Sequence, residues 1–391
     1  MNSTADVVVI GGGIMGASAA FRLAERGLKV TLVEKSFLAG GSTGKSSAII
    51  RQHYSNEITA RMALYSLRVF QNFSEMIGDE CGYMPVGFVV LAPAKDREGL
   101  AANVALQQGI GINTRLLSPE ELREVAPGMA EAEAVAAAYE PEGGYADPAL
   151  TVGAFGAAAR RLGATILQET EVLGLKIEGG RVKGVVTNRG EIAAGAVVNT
   201  AGPWGARIAY MAGIELPIQP CRVQISLFAP PPDERPAPHV FVDFPNTTYF
   251  RPETGGMTLV GSVDPGEAND HADPDRYNER VDFEFVADTG AKLALRFPCM
   301  ERAESRNGYA AVYDVTPDWH PVIDEAPPGS GFFIAAGHSG HGFKLGPAVG
   351  VMVADLVTGQ KTEGLDPALF RFSRYAEGKL VRGRYEYSIA G

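Results

Sequence analysis

The sequence predicts an α/β protein of two interleaved domains: a Rossmann-like domain on a parallel sheet, and an inserted α+β domain on a mostly antiparallel sheet. Three observations carry that prediction. An apolar run, a glycine loop, a helix pattern and a second apolar run follow one another from Val7 to Glu34. Two further apolar runs, over 196–202 and 332–337, each close on a glycine, as strands of the same parallel sheet would. Between them, residues 218–324 are rich in proline, aromatics and short alternating strands. At 391 residues the chain is also too long for one ordinary core.

Taken in order, Val7-Val8-Val9-Ile10 has the pattern of a buried parallel strand. The helix after it carries Ala17, Ala20, Leu23 and Ala24 on one face and stops at Gly27, a typical residue just past a helix end. Val30-Thr31-Leu32-Val33 is the second strand. Residues 57–77 read as one amphipathic helix, with Met62, Leu67, Phe70 and Phe73 on its apolar side. Residues 87–91 read as a strand, 148–162 as a helix, 165–167 and 181–187 as strands, and 346–356 as the last helix. Pro230-Pro231-Pro232-Asp233 marks a loop. The division that results assigns 1–84, 146–217 and 325–391 to the first domain, and 85–145 and 218–324 to the second.

Gly11-Gly12-Gly13-Ile14-Met15-Gly16 satisfies G-x-G-x-x-G in its proper setting, after a strand and at the start of a helix. Gly11 permits the tight turn, Gly13 lets backbone approach a pyrophosphate, and Gly16 lets the helix pack closely. The N–H groups of the first helical turn, at Ile14 and Met15, face the phosphates with a partial positive charge. Glu34 ends the second strand, where a carboxylate accepts from ribose hydroxyls and repels a 2′-phosphate. The unit therefore binds an ADP moiety. NAD and FAD both satisfy it.

Composition narrows the partners. The 35 basic and 46 acidic residues leave a net charge of −11, with no basic run, which argues against nucleic acid and anionic lipid. No apolar stretch approaches the ~20 residues of a membrane helix. The N-terminus shows no basic segment followed by an apolar one, so a cytoplasmic protein is expected. Three scattered cysteines and six histidines show neither a disulfide framework nor metal-ligand spacing.

Four segments select between the two dinucleotides: Gly40-Gly41-Ser42-Thr43-Gly44-Lys45-Ser46-Ser47-Ala48-Ile49-Ile50-Arg51, Asn199-Thr200-Ala201-Gly202-Pro203-Trp204, Tyr313-Asp314-Val315-Thr316-Pro317-Asp318, and Ala335-Ala336-Gly337-His338-Ser339-Gly340-His341-Gly342-Phe343-Lys344. Together they resemble the FAD-dependent oxidoreductases of the D-amino-acid oxidase superfamily, in particular the sarcosine oxidase and dimethylglycine dehydrogenase branch. The resemblance implies an FAD-binding domain and an inserted substrate domain whose sheet roofs the flavin. It places Lys35, Ser42, Thr43, Lys45, Ser46, Thr200, Ala201, Gly202 and Trp204 at the cofactor. By the same likeness Val172 contacts the adenine through its backbone, and the loop Gly340, His341, Gly342, Phe343 and Lys344 holds the pyrimidine edge of the flavin.

In sarcosine oxidases an arginine and a lysine at the positions of Arg51 and Lys344 bind the substrate carboxylate. A guanidinium fork and an ammonium point charge both suit that task. Tyr249 and Tyr313 match tyrosines that wall the pocket, so these four are the expected catalytic-site residues. The implied substrate is a small amino acid with a carboxylate, secondary or N-methylated, oxidised at its C–N bond. Glycine, a primary D-amino acid or a 2-hydroxy acid is the alternative, as is a flavin-retaining subunit without its own activity. Either a homo-oligomer or a hetero-oligomeric subunit is compatible with the resemblance.

Departures from the family pattern carry information as well. The cysteine that tethers flavin in monomeric sarcosine oxidases is Ala311 here, so FAD is not covalently attached at that position. Two basic residues beside the flavin in that group are Gly44 and Ala48. Their oxygen-activating lysine falls near Met257 to Val260, yet no lysine occurs between Lys183 and Lys292. A dehydrogenase passing electrons to a carrier and a slow oxidase both remain open.

Overall fold

A computed structural model describes residues 3–130 and 135–382. Residues 1–2, 131–134 and 383–391, which the sequence division assigns to one domain or the other, lie outside the described residues.

The first sheet has six strands in the order Val322–Glu325, Phe332–Ala336, Ala196–Asn199, Val7–Ile10, Val30–Val33, Thr165–Leu167. All neighbours are parallel except the edge pair formed by Val322–Glu325 and Phe332–Ala336. Because side chains alternate across a strand, Val7 and Val9 point to one face and Val8 and Ile10 to the other. The first face is covered by the helices Ile14–Glu25, Pro148–Arg161 and Gly342–Thr358. A four-stranded sheet supplies Val172, Val182, Val185 and Ile192 to the second. Strands buried on both sides explain the unbroken apolar runs in the sequence.

Eight strands form the second sheet, in the order Glu304–Val315, Gln219–Ala229, Met257–Ser262, Thr248–Glu253, Val240–Asp243, Phe88–Pro93, Val135–Glu140, Arg115–Leu117. Its pairings are antiparallel apart from Val240–Asp243 with Phe88–Pro93. One face packs on the helix Phe283–Arg296 through Phe241, Phe250, Val260 and Leu293. The other carries Ile225, Tyr249 and Leu259. The strand Val322–Glu325, which begins within the stretch read as the inserted domain, lies on the outer edge of the parallel sheet.

Two helix boundaries differ from those read off the sequence. The helix expected over 57–77 is broken into Glu57–Gln71 and Phe73–Ile77, because Asn72 turns its side-chain amide onto the Arg68 carbonyl and leaves helical geometry. The last helix starts at Gly342, four residues before the expected Gly346. Pro347 then lies inside it and cannot donate to the Phe343 carbonyl, an arrangement that sequence signals treat as a break. The start of the Pro148–Arg161 helix needs no such correction. Asp147 caps it by accepting the Leu150 N–H at 2.8 Å, with proline in the first turn.

The glycine fingerprint is among the tightest points of the described residues. A Cβ on Gly16 would lie 1.9 Å from the Gly11 carbonyl oxygen, and one on Gly11, whose φ is +110°, would lie 2.6 Å from the Thr200 carbonyl oxygen. Neither obstacle is a flexible side chain. Gly16→Ala therefore forces the helix off the loop, at a cost of about 3 kcal/mol or more in unfolding free energy, read from urea titration. Retained flavin per mole of protein is expected to fall with it. A stable, flavin-replete Gly16→Ala protein would show that the crossing has slack.

Candidate active site

The carboxyl ends of the parallel strands open into a cavity of about 450 Å³ that runs on beneath the face of the second sheet carrying Tyr249. Ligands of open α/β sheets bind at such strand ends. Glu34, Lys35, Thr170, Glu171 and Val172 line one end. Gly11, Gly13, Ile14, Met15, Ser42, Thr43, Lys45 and Ser46 line it further along, with Thr200, Ala201, Gly202 and Trp204 also in the wall. The far end is walled by Ile225, Tyr249, Ala311, Tyr313, His338, Gly340, Gly342 and Phe343.

Several of these side chains are held by the protein itself. Glu34 accepts the N–H groups of Gly12 and Ser36, each at 2.7 Å, through different oxygens; Oε1 also takes the Ser36 hydroxyl at 3.1 Å, which leaves Oε2 with a lone pair for a ligand hydroxyl. Thr43 Oγ1 accepts the Ile14 N–H at 3.2 Å, and Ser42 Oγ donates to the Val312 carbonyl at 2.6 Å. Lys45 reaches the Tyr277 hydroxyl at 2.7 Å and Glu279 at 2.9 Å. Gly340, with φ of +87°, lets the Tyr313 ring approach to where a Cβ would be 2.3 Å away. Burial pushes the Tyr313 phenol up to about 12 and raises that of Tyr249 well above its ordinary value, so both are neutral walls.

Arg51, His341 and Lys344 are outside this cavity lining and form a buried cluster of their own. The Arg51 guanidinium lies 4.4 Å from the Tyr54 ring centroid and donates to the His53 carbonyl. Lys344 Nζ is 3.4 Å from the His341 carbonyl. Burial, then the charge of Arg51, holds the Lys344 ammonium well below its usual range. An anion beside it would favour the charged form.

His341, read from sequence as a flavin contact, turns its ring elsewhere. Its Nε2 is 2.7 Å from the Trp319 carbonyl and its Nδ1 3.5 Å from the Tyr54 hydroxyl. The histidine that reaches the cavity is His338, which sequence reasoning passed over. Its Nε2 is buried without a hydrogen-bond partner among the described residues, and burial alone lowers its ring to about 3, so it is neutral. The signal was present: His338 follows Gly337 just past a parallel strand, where such folds place ligand contacts. Glu267, also passed over, is a carboxyl beside the two tyrosines that burial raises to about 7.

An acidic cap beyond the second strand, a helix N-terminus, a wall of backbone without side chains and an orphaned neutral histidine at the far end fit an extended dinucleotide with a ring system at that end. Residues 6–356 match the family model described as DAO, FAD dependent oxidoreductase. The chain belongs to this family.

Its FAD dependence follows, and the expected cofactor, fold class and resemblance are borne out. The DAO-family chain is 28% identical to the sarcosine oxidase subunit beta of Rhodobacter capsulatus, over 96% of this chain and 90% of that one. It is 27% identical to the glycine oxidase of Geobacillus kaustophilus, over 95% and 97%. Among solved structures, the L-proline dehydrogenase of P. horikoshii superposes with a TM-score of 0.89 at 32% identity, covering 97% of this chain and all of that one. Among the described residues no helix is long and apolar enough to cross a membrane. Ala311 stands in the cavity wall, so that position offers no thiol.

One feature of this DAO-family chain was not visible in its motifs. Pro274, Asp275, Tyr277 and Glu279, from the inserted domain, line the cavity too and form a strap across it. Asp275 accepts Lys35 Nζ at 2.5 Å and Trp204 Nε1 at 2.9 Å, and pairs with Arg207. Lys35 also lies 3.8 Å from the Trp204 ring centroid. Partial burial works against the Asp275 charge, but the hydrogen bonds from Lys35, Trp204 and Arg207 prevail and hold its carboxyl at about 2. These partners are partly exposed, so the latch is worth about 1 kcal/mol. Asp275→Ala should speed flavin loss during gel filtration about fivefold and lower the melting temperature of the flavin-free protein by no more than about 4 °C. Equal retention by the two proteins would show that the strap does not restrain the cofactor.

Proposed function

We propose that the protein oxidises the C–N bond of a small secondary or N-methyl amino acid, using FAD held along the cavity from Glu34 to His338. The carrying observation is the buried Arg51–Lys344 pair, two basic side chains in the interior that lie near enough for the charge of one to act on the other. Glu34 takes the ribose hydroxyls, Val172 the adenine, and the N–H groups of Ile14 and Met15 the pyrophosphate. Thr43, Lys45, Thr200 and Gly342 flank it. FAD supplies an acceptor for a hydride equivalent.

The chain's own residues bind, orient and exclude water. Arg51 grips the substrate carboxylate in a fork, and Lys344 meets it as a point charge, its ammonium restored by that anion. Tyr249 and Tyr313 close the pocket with aromatic faces, which suits a small apolar amine and keeps water from the reacting carbon. A substrate that binds with its amine already neutral needs no dedicated base. The product imine hydrolyses in water. The sarcosine and L-proline named for two similar proteins are both secondary amino acids, which supports this choice. Similarity to a glycine oxidase favours a second reading, a primary amine substrate. Ammonia as product marks that reading; methylamine, formaldehyde with a shortened amine, or a ring imine from a cyclic substrate marks the first.

Lys292 is tied to Asp288 at 2.7 Å and Thr247 at 3.2 Å, so no lysine from this stretch serves oxygen. We therefore favour transfer of electrons to a carrier over fast oxidase turnover. Anaerobic mixing with sarcosine, L-proline, glycine and D-alanine should bleach the flavin with one of the first two, and admitted air should restore it slowly. Arg51→Ala should raise KM by two to three orders of magnitude, with flavin absorbance intact. That corresponds to about 3–4 kcal/mol, the scale of removing one partner from a charged pair in a dry site. Absence of bleaching with every member of the panel would instead support a subunit that holds flavin without chemistry.

A further inference from the structure

Arg51 is carried by a stretch of chain with no regular structure. The two-residue strand Ile49–Ile50 pairs with Gly144–Tyr145, and residues 51–55 then run as buried coil. Such a segment has no ladder or helix to hold its shape, so side chains must do it.

Two of them come from the inserted domain. Glu140, at the end of the strand Val135–Glu140, accepts the Gln52 N–H at 2.8 Å. Gln107, from the helix Arg97–Gly109, donates through Nε2 to the Tyr54 carbonyl at 3.1 Å and to His53 Nδ1 at 3.2 Å. His53 Nδ1 is the acceptor in that contact, because an amide nitrogen only donates, and burial and then Arg51 lower the ring to about 3, which keeps it neutral. The carbonyl between these two anchors, that of His53, is the one that receives the Arg51 guanidinium. The coil is thus pinned on both sides of the point that aims the arginine.

Stability alone does not explain this cluster. Glu140 Oε1, Gln107 Oε1 and both polar atoms of Gln52 are buried with no hydrogen-bond partner among the described residues. Each such atom costs about 1–3 kcal/mol, and apolar residues of similar size would fill the space more cheaply. Burial also raises the Glu140 carboxyl to about 7, against the pull of the Gln52 N–H and Arg51. A costly polar network placed behind a binding side chain is the signature of positioning.

We propose that Glu140 and Gln107 are positioning residues that set the aim of Arg51 toward the substrate carboxylate. Neither lines the cavity assigned to FAD, and both reach Arg51 only through the coil that carries it. The inference rests on the reading of Arg51 as carboxylate anchor, and the two can fail separately.

Four variants decide it: E140A, E140Q, Q107L and R51A. Each is measured for flavin content, kcat, and KM with whichever amino acid reduces the wild-type flavin fastest, and acetate is titrated as a competitor. E140A and Q107L should raise KM and the acetate inhibition constant by at least tenfold, on the scale of a misplaced anchor, with kcat within about threefold and flavin spectra unchanged. E140Q should stay within about threefold of wild type, because its amide oxygen still accepts the Gln52 N–H. If E140A does not fold, the near-isosteric Q107L and E140Q carry the test. A raised KM in R51A alone, with E140A and Q107L at wild-type values, overturns the positioning role and leaves the anchor standing. An unchanged KM in R51A overturns both.

Discussion

Three stretches of backbone meet at Gly11, Gly16 and Thr200 with no space between them for a single Cβ, and the rest of the architecture depends on that contact. It brings the first helix down on its own loop, so that the free N–H groups of its first turn face the cavity. It also presses the end of the strand Ala196–Asn199 against the end of Val7–Ile10, and the Thr200 hydroxyl donates to the Ile10 carbonyl at 2.8 Å. A sheet built from segments almost two hundred residues apart therefore has one registered corner. The cavity starts there.

From that corner the two domains divide the work by chemistry. The parallel sheet contributes backbone donors, Glu34 and the neutral His338, all delivered by strand ends. The antiparallel sheet contributes broad aromatic surface through Tyr249 and Tyr313. The basic pair arises from neither sheet: Arg51 sits on coil, and Lys344 on the first turn of the last helix. A protein with eleven more acidic than basic residues thus keeps a cationic spot in its interior. Net charge describes the outer surface and says little about a cleft.

What could be read beforehand follows from how local each signal is. The unit from Val7 to Glu34 was legible because its turn, helix start and two buried strands are written within a few residues of one another. Residues 57–77 misled because the apolar stripe continues through Asn72, while the break depends on one side chain's choice of partner. The start of the last helix was hidden by Pro347. Glu140 and Gln107 were out of reach, since their partners lie 88 and 53 residues away and nothing in their own neighbourhood announces them. His341 was placed in the right segment and given a contact that its neighbour His338 is better set to make. The resemblance pointed to segments that line the cavity or lie in the buried cluster beyond its lining; only packing decides which atom of a segment faces it.

The strap across the cavity sets an order of events during synthesis. Lys35 leaves the ribosome 240 residues before its partner Asp275, and the strand Phe332–Ala336 emerges later still. For much of translation the nascent glycine loop has no Thr200 to press against and no roof. The binding cleft is then open on the side that the strap later covers. The three contacts of Asp275 can therefore form only after most of the chain has been made. The strap is thus the late-made part of a cleft whose floor is made first.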